Sequence, residues 1–422
     1  MIFYIYNLGC KVNSYDAAKI SALLSSLGSI QTKDFQKADY IIVNSCTVTS
    51  KSDSKSRKML GHFKKVNPKA TIILSGCMPQ VLSDEEIEAL PCDFVIGNNN
   101  LFEFSKIINK EIKNKNIVQK HQKKEEFSAN DLDIKSEKTR AKLKIQDGCN
   151  SFCSYCIIPY ARGRERSMQL EKVFEKIDKI DELQYKELVL VGINLSRYYS
   201  DNCKSLLEVI EYADKKKNIE RIRLGSLEYD NITDEFLDNL SKIEKFCPQF
   251  HLSVQSGSDK ILKNMNRHYT TEEYKSKIKT IRNLFDDATI TTDIIIGFPN
   301  EEKEDFEKTL DFVKDIKFEK VHVFPYSIRR GTKAALMKQV NPEVKKQRVK
   351  ELISVSEKIR EAFLKNQIGK TLSVLTEQKI DGYMFGYTKN YIPVKILDDK
   401  IENNQIVNVK ITDVKDMICV CE

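Results

Sequence analysis

Apolar runs alternate with helix-period stretches along most of this chain, and that alternation restricts it to an α/β architecture. Runs at 2–6, 40–43, 71–74 and 94–96 are separated by segments such as 17–27 and 55–66, whose apolar residues recur every three to four positions. Strands that return through a helix lie parallel, so residues 1–105 read as a parallel-sheet α/β domain. A second series follows at 143–146, 187–193, 221–227, 250–255, 290–296 and 320–324. Six βα units predict a partial (βα)6 barrel over 142–340, with chemistry at the carboxyl ends of its strands. Residues 341–367 read as a basic, amphipathic connecting helix. From 368 to 422 short β-rich runs broken by Gly and Asn predict a small antiparallel β-barrel.

The chain has 422 residues, and 69 Lys+Arg against 61 Asp+Glu give it +8. Residues 105–145 carry twelve basic and six acidic side chains, so this stretch supplies +6 of that charge. It reads as a charged linker over 106–141, either a solvated segment or a nucleic-acid contact. No run of eighteen apolar residues appears, and the first residues lack a basic lead and a small-residue cleavage site. The expectation is a cytoplasmic protein with no membrane partner.

Eleven cysteines in a reducing compartment point away from disulfides and toward metal or redox chemistry. Cys149, Cys153 and Cys156 form C-x3-C-x2-C directly after the first barrel strand. A zinc site would want a fourth ligand nearby, and none follows. Three thiolates suit a four-iron, four-sulfur cluster with one iron left open to a small molecule. Cys10, Cys46 and Cys77 each come two to three residues after one of the first three N-terminal strands, where open α/β sheets place ligands. They form either a second three-thiolate site or buried core cysteines. Cys92, Cys203, Cys247, Cys419 and Cys421 carry no such pattern, and none of the five histidines has ligand spacing.

Strand ends of the barrel offer further polar or small groups: Gly192, Asn194, Ser226, Glu228, Gln255 and Asp293. Basic residues cluster in the same regions, with Arg162, Arg164 and Arg166 in YARGRERS and Arg329, Arg330 and Lys333 after the last barrel strand. Together they suit a polyanionic partner such as RNA, and Tyr387 and Tyr391 offer rings on which bases could stack or which could pack in a core.

The stretches GCKVNSYD, NSCTVTSKSDSKSRK, GCMPQ, QDGCNSFCSYCIIPYARGRERS, HLSVQSGSDKILKNMNRHYT, DIIIGFPNE and HVFPYSIRRGTKA resemble the methylthiotransferase family of radical S-adenosylmethionine enzymes over nearly the whole chain. The resemblance implies two 4Fe-4S clusters. An auxiliary one is held by Cys10, Cys46 and Cys77, and a radical-generating one by Cys149, Cys153 and Cys156, with Tyr155 near the adenine of S-adenosylmethionine. GYTKNYIPVKI matches the family's third, RNA-binding domain, of the TRAM type. The mechanism that the resemblance implies uses two molecules of S-adenosylmethionine, one to methylate a sulfur at the auxiliary cluster and the other to yield a 5′-deoxyadenosyl radical. A carbon 2 hydrogen of adenine is not acidic, so general bases remove it poorly and radical chemistry answers that difficulty.

Within the family, Lys11, Val12, Thr47–Thr49 and the FPYSIRRGT stretch resemble the branch that methylthiolates carbon 2 of N6-threonylcarbamoyladenosine, next to the anticodon of tRNA. Sister branches act on isopentenyladenosine in tRNA and on a ribosomal-protein aspartate. The implied partners are tRNA, a sulfur donor and an electron donor such as a flavodoxin or ferredoxin. A metal-stabilised RNA-binding protein without catalysis is the non-enzymatic alternative.

Overall fold

A computed structural model describes residues 1–122, 126–127, 139–200, 203–397 and 400–421. Most of the linker stretch 123–138 therefore lies outside the described residues. The chain divides into two compact units. One takes the described residues up to 127 with Gln146–Met168 and Ser327–Ala335, and the other takes the remainder. Among the described residues no helix is long and apolar enough to cross a membrane.

The first unit is built on β1 (Ile2–Asn7), α1 (Lys11–Ser26), β2 (Ile30–Gln31), β3 (Tyr40–Ser45), α2 (Ser50–Val66), β4 (Thr71–Gly76) and β5 (Phe94–Val95). The strands form one parallel sheet in the order β2-β1-β3-β4-β5. Side chains alternate faces along a strand. Ile41, Val43, Ile72 and Leu74 accordingly pack with Leu60 and Phe63 of α2, while Ile42 and Ile73 pack with Ile20 and Leu24 of α1. Both faces are covered, which is why 40–43 and 71–74 are continuous apolar runs rather than alternating ones. Truncating Ile42 or Ile73 to Ala would cost about 2–5 kcal/mol.

The pairs Asn7↔Asn44 and Ser45↔Gly76 bring the three central strands to a flush end. β3 and β4 run two residues past their apolar stretches, because Asn44, Ser45, Ser75 and Gly76 stay in the ladder although they are polar or small. Cys46 and Cys77 therefore stand immediately after their strands, not two or three residues on. Thr49 caps α2 by accepting from the Ser52 amide at 3.2 Å.

In the second unit, Arg221–Leu224, Glu187–Val191 and Arg140–Lys144 form one parallel sheet, and Ser226–Leu227, Gln249–Leu252, Thr289–Ile296 and Lys320–Pro325 a second. These are the six expected barrel strands, one of them broken at Gly225. Helices Leu170–Glu182, Lys204–Asp214, Asp234–Ser241, Thr271–Leu284 and Lys303–Ile316 connect them. Pro342–Lys365 is the long helix, with Asn341 as its N-cap and Pro342 at its first position. The C-terminal segment is a six-stranded sheet that is antiparallel except where Pro393–Ile396 pairs parallel with Ile418–Cys421. Its core holds Cys419 and Cys421.

Candidate active site

Three thiols stand behind the flush strand ends of the first unit. Cys10 is exposed just before α1, whereas Cys46 and Cys77 are buried after β3 and β4. Asn13, in the first turn of α1, holds the three loops in place: its Nδ2 donates to the carbonyls of Leu8 and Ser45, both at 2.7 Å, and its Oδ1 accepts from Cys77 Sγ at 3.6 Å. Gly9 has φ +110°, and a Cβ there would lie 2.9 Å from Cys46 Cβ and 3.3 Å from its Sγ, so the first loop closes onto the second only without a side chain. The thiols feel one another electrostatically. Burial, with Cys10 adding to it, raises Cys46, and burial pushes Cys77 up to about 12 although the Arg162 charge pulls it down.

The loop with the other trio belongs to the same unit. Gln146–Asp147 pairs antiparallel with Arg166–Ser167, and the Cys149 amide donates to the Gly163 carbonyl at 3.2 Å, which pins both ends. Gly148 has φ +72°, and a Cβ there would run into the Arg164 carbonyl oxygen. Cys149, Cys153 and Cys156 are all half-buried, and the Cys156 amide closes a turn on the Cys153 carbonyl at 2.9 Å. The thiols are thus held on a pinned loop and remain reachable.

Arg162 is the residue the sequence misplaces most. Read as an RNA contact, it is 1% exposed and fully enclosed. Its Nε donates to Cys77 Sγ at 3.2 Å, Nη2 to Asp16 Oδ2 at 2.9 Å and to Asn13 Oδ1, and Nη1 to Asp147 Oδ1 at 3.2 Å. Burial works against its charge, but Cys77, Asp147, Asp16 and Cys10 outweigh it and hold its pKa well above the ordinary arginine value. Arg329 is likewise withdrawn, bonded to Thr47 Oγ1 at 2.9 Å and to Asp53. Arg166 is tied to Asp147 at 3.2 Å and to two backbone carbonyls. Arg164, Arg330 and Lys333 are exposed, with Arg164 lying 4.4 Å over the Phe152 ring.

In the second unit the expected cofactor residues divide. Gly192 follows the strand Glu187–Val191, Ser226 is exposed, and buried Asn194 accepts from Ser196 Oγ at 2.9 Å. Gln255 sits at φ +72° with its amide on the Asp293 carbonyl at 2.9 Å. Glu228 is engaged by buried Arg267. Asp293 is not at the rim. It lies inside Thr289–Ile296, where its Oδ2 meets His251 Nε2 at 3.2 Å and accepts from Ser253 Oγ at 3.0 Å. His251, Asp293 and His322 converge, their ligand atoms within 4.8 Å of one another. No spacing marked these histidines because parallel register, not local sequence, joins Asp293 to His322.

Tyr387 and Tyr391 stack on each other at 4.6 Å, with Arg140 over both rings at 4.8 and 4.9 Å and Arg223 at 4.6 Å from Tyr391. Arg140 also donates to the Tyr391 hydroxyl at 3.0 Å, and Arg223 is bound by buried Glu187 at 2.8 Å. These rings take part in a cation–π and ion-pair stack within the unit, which is the packing alternative of the two the sequence leaves open.

Comparisons with known proteins agree with this arrangement. Residues 143–313 match the Radical SAM superfamily, and residues 2–97 match Uncharacterized protein family UPF0004. The tRNA-2-methylthio-N(6)-dimethylallyladenosine synthase of Thermodesulfovibrio yellowstonii is 36% identical over 97% of this chain and 95% of its own length. The chain belongs to the radical S-adenosylmethionine methylthiotransferase family. A second relative of this methylthiotransferase is the threonylcarbamoyladenosine tRNA methylthiotransferase MtaB of Bacillus subtilis, 35% identical over 96% of this chain and 92% of that one. Among solved structures, the radical S-adenosylmethionine methyltransferase TsrM of Kitasatospora setae shares the fold at a TM-score of 0.59, with 13% identity, over 79% of this chain and 77% of that one.

This methylthiotransferase is an enzyme that uses S-adenosylmethionine and 4Fe-4S clusters. Its residues fit them. Two sets of three thiols, each set on loops pinned by backbone hydrogen bonds, give the soft donors iron–sulfur clusters require.

Proposed function

We propose that this methylthiotransferase adds a methylthio group to carbon 2 of N6-threonylcarbamoyladenosine next to the anticodon of tRNA. The observation that carries the methylthio chemistry, as distinct from the choice of nucleoside, is the pair of three-thiol sets in one compact unit, three being one short of the four irons of a cluster. Cys10, Cys46 and Cys77 would hold the auxiliary cluster, and Cys149, Cys153 and Cys156 the radical cluster. When bound, the clusters and S-adenosylmethionine supply the radical that takes the carbon 2 hydrogen and the methylated sulfur that replaces it.

The protein's part is placement. Asn13 gathers the auxiliary loops, Gly148 and Gly163 close the radical loop, and Tyr155, Gly192, Asn194, Ser226 and Gln255 are the groups we assign to S-adenosylmethionine. Arg164, Arg330 and Lys333 remain as phosphate contacts, joined by the C-terminal sheet over 368–422 as the RNA-binding domain. A flavodoxin or ferredoxin would reduce the clusters, and a separate sulfur donor would recharge the auxiliary site, in the cytoplasm.

Support for the threonylcarbamoyl branch comes from the two stretches that suggested it. Thr47 and Arg329 are hydrogen-bonded, and the Ser50 amide donates to Ser327 Oγ at 2.8 Å, so residues of NSCTVTS meet the SIR part of the second stretch within the first unit, just behind Cys46. The second reading is dimethylallyladenosine as substrate, favoured by the name of the Thermodesulfovibrio relative. Nucleosides from the tRNA of a deletion strain, weighed by mass spectrometry, separate the two. Loss of the 2-methylthio derivative of N6-threonylcarbamoyladenosine supports the proposal, and loss of the isopentenyl derivative instead selects the second reading.

A further inference from the structure

We propose that Arg162 is a positioning residue for the auxiliary cluster: its guanidinium donates a charged hydrogen bond to the sulfur of Cys77 and thereby raises the reduction potential of the iron bound there. The inference rests on the assignment of Cys10, Cys46 and Cys77 as cluster ligands and goes beyond it, since nothing in a ligand set requires a buried arginine.

An arginine this enclosed is costly unless each donor is used and the charge is balanced. Asp16 and Asp147 oppose its charge, and Asp147 is shared with Arg166. The Nε–H is the donor left over from the carboxylates, and it points at Cys77 Sγ at 3.2 Å rather than at an oxygen. Sulfur is a weak acceptor as a thiol and a good one as a thiolate, so the contact is worth most when Cys77 is deprotonated on a metal. A three-thiolate cluster gains negative charge on reduction. A fixed positive charge and an N–H bonded to its sulfur both favour the reduced state.

The same side chain spans the two cysteine sets. Asp16 lies on α1, which begins at the residue after Cys10, and Asp147 stands two residues before Cys149. Asn13 repeats the pattern, touching the Cys77 thiol and Arg162 while holding the loops before Cys10 and Cys46. Arg162 thus links the position of Cys77 to that of the radical-cluster loop within one unit.

The test uses full-length protein in which Cys149, Cys153 and Cys156 are replaced by Ala, so that only the auxiliary site is loaded after anaerobic reconstitution. Electron paramagnetic resonance during a reductive titration gives its midpoint potential. In that background Arg162→Gln should shift the midpoint to more negative values, and Arg162→Lys, which keeps the charge but not the Nε–H geometry, should shift it by less. An unchanged midpoint in a folded, iron-loaded Arg162→Gln protein overturns the proposal. If neither variant folds, the parent protein labelled with nitrogen-15 arginine decides: pulsed resonance on the reduced cluster should show a nitrogen-15 coupling, and its absence removes the hydrogen bond and the proposal with it. If the triple-Ala protein takes up no iron, the ligand assignment fails first and the proposal falls with it, whereas about four irons per chain without a potential shift sinks the Arg162 role alone.

Discussion

Arg329 donates to the hydroxyl of Thr47 at 2.9 Å, which commits the arginine after the last barrel strand to the loop just behind Cys46. Asp53, in the first turn of α2, takes the same guanidinium nitrogen. Arg329→Ala should therefore cost roughly 3 kcal/mol, because it strands a largely buried carboxylate partner. Its neighbour Arg330 is 81% exposed, and Arg330→Ala should change stability by less than about 0.5 kcal/mol. Under the RNA assignment, Arg330→Ala instead lowers tRNA affinity and the slope of its salt dependence. Denaturant unfolding beside tRNA binding at several salt concentrations reads both effects.

Asn13 is a residue that sequence motifs quote and geometry explains. Asn13→Ala removes the side-chain donor from the Leu8 and Ser45 carbonyls, leaving Ser45 only the Cys77 amide, at about 1–3 kcal/mol. We expect the auxiliary loops to loosen, with iron per chain falling from about eight toward about four after anaerobic reconstitution. Iron analysis showing full loading of Asn13→Ala would mean the loops hold the cluster without it.

Gly148→Ala should act on the other set. The added Cβ meets the Arg164 carbonyl at a backbone angle that only glycine accepts readily, so the loop must open. The variant is expected to lose S-adenosylmethionine cleavage while keeping its auxiliary iron. Retained 5′-deoxyadenosine formation would show that the loop tolerates the shift.

What the sequence conveyed well was what local pattern controls. The run 40–43 is apolar throughout because both sheet faces are covered, and the cysteines behind β3 and β4 could be aligned because parallel strands end together. The apolar pattern alone ends these strands short, because Asn44 and Ser45 are polar yet paired. Arg162 reads in the sequence as one of a cluster of RNA contacts because YARGRERS is a basic string. Its carboxylates come from 146 and 15 residues away, a relation no local pattern contains. The sequence puts Asp293 at the rim for the same reason, since its partner His251 is brought by a neighbouring strand.

His322 predicts a pH dependence of stability. Burial, opposed by Asp293 and reinforced by Lys320, His251 and Arg360, holds its imidazole below the ordinary value of 6.5. The unfolded chain then binds the proton first, so this group's contribution is present above about pH 6.5 and is lost as the pH falls below it. His322→Asn should flatten the stability curve in that interval. Denaturant midpoints measured from pH 7.5 downward, with identical slopes in the two proteins, would contradict this.

The central claim is that the two cysteine sets do different work, and one assay separates them. Reconstituted Cys46→Ala, given S-adenosylmethionine, reductant and tRNA, is expected to release 5′-deoxyadenosine without forming any methylthio nucleoside, while Cys153→Ala releases none. Full methylthio product from Cys46→Ala would contradict the account.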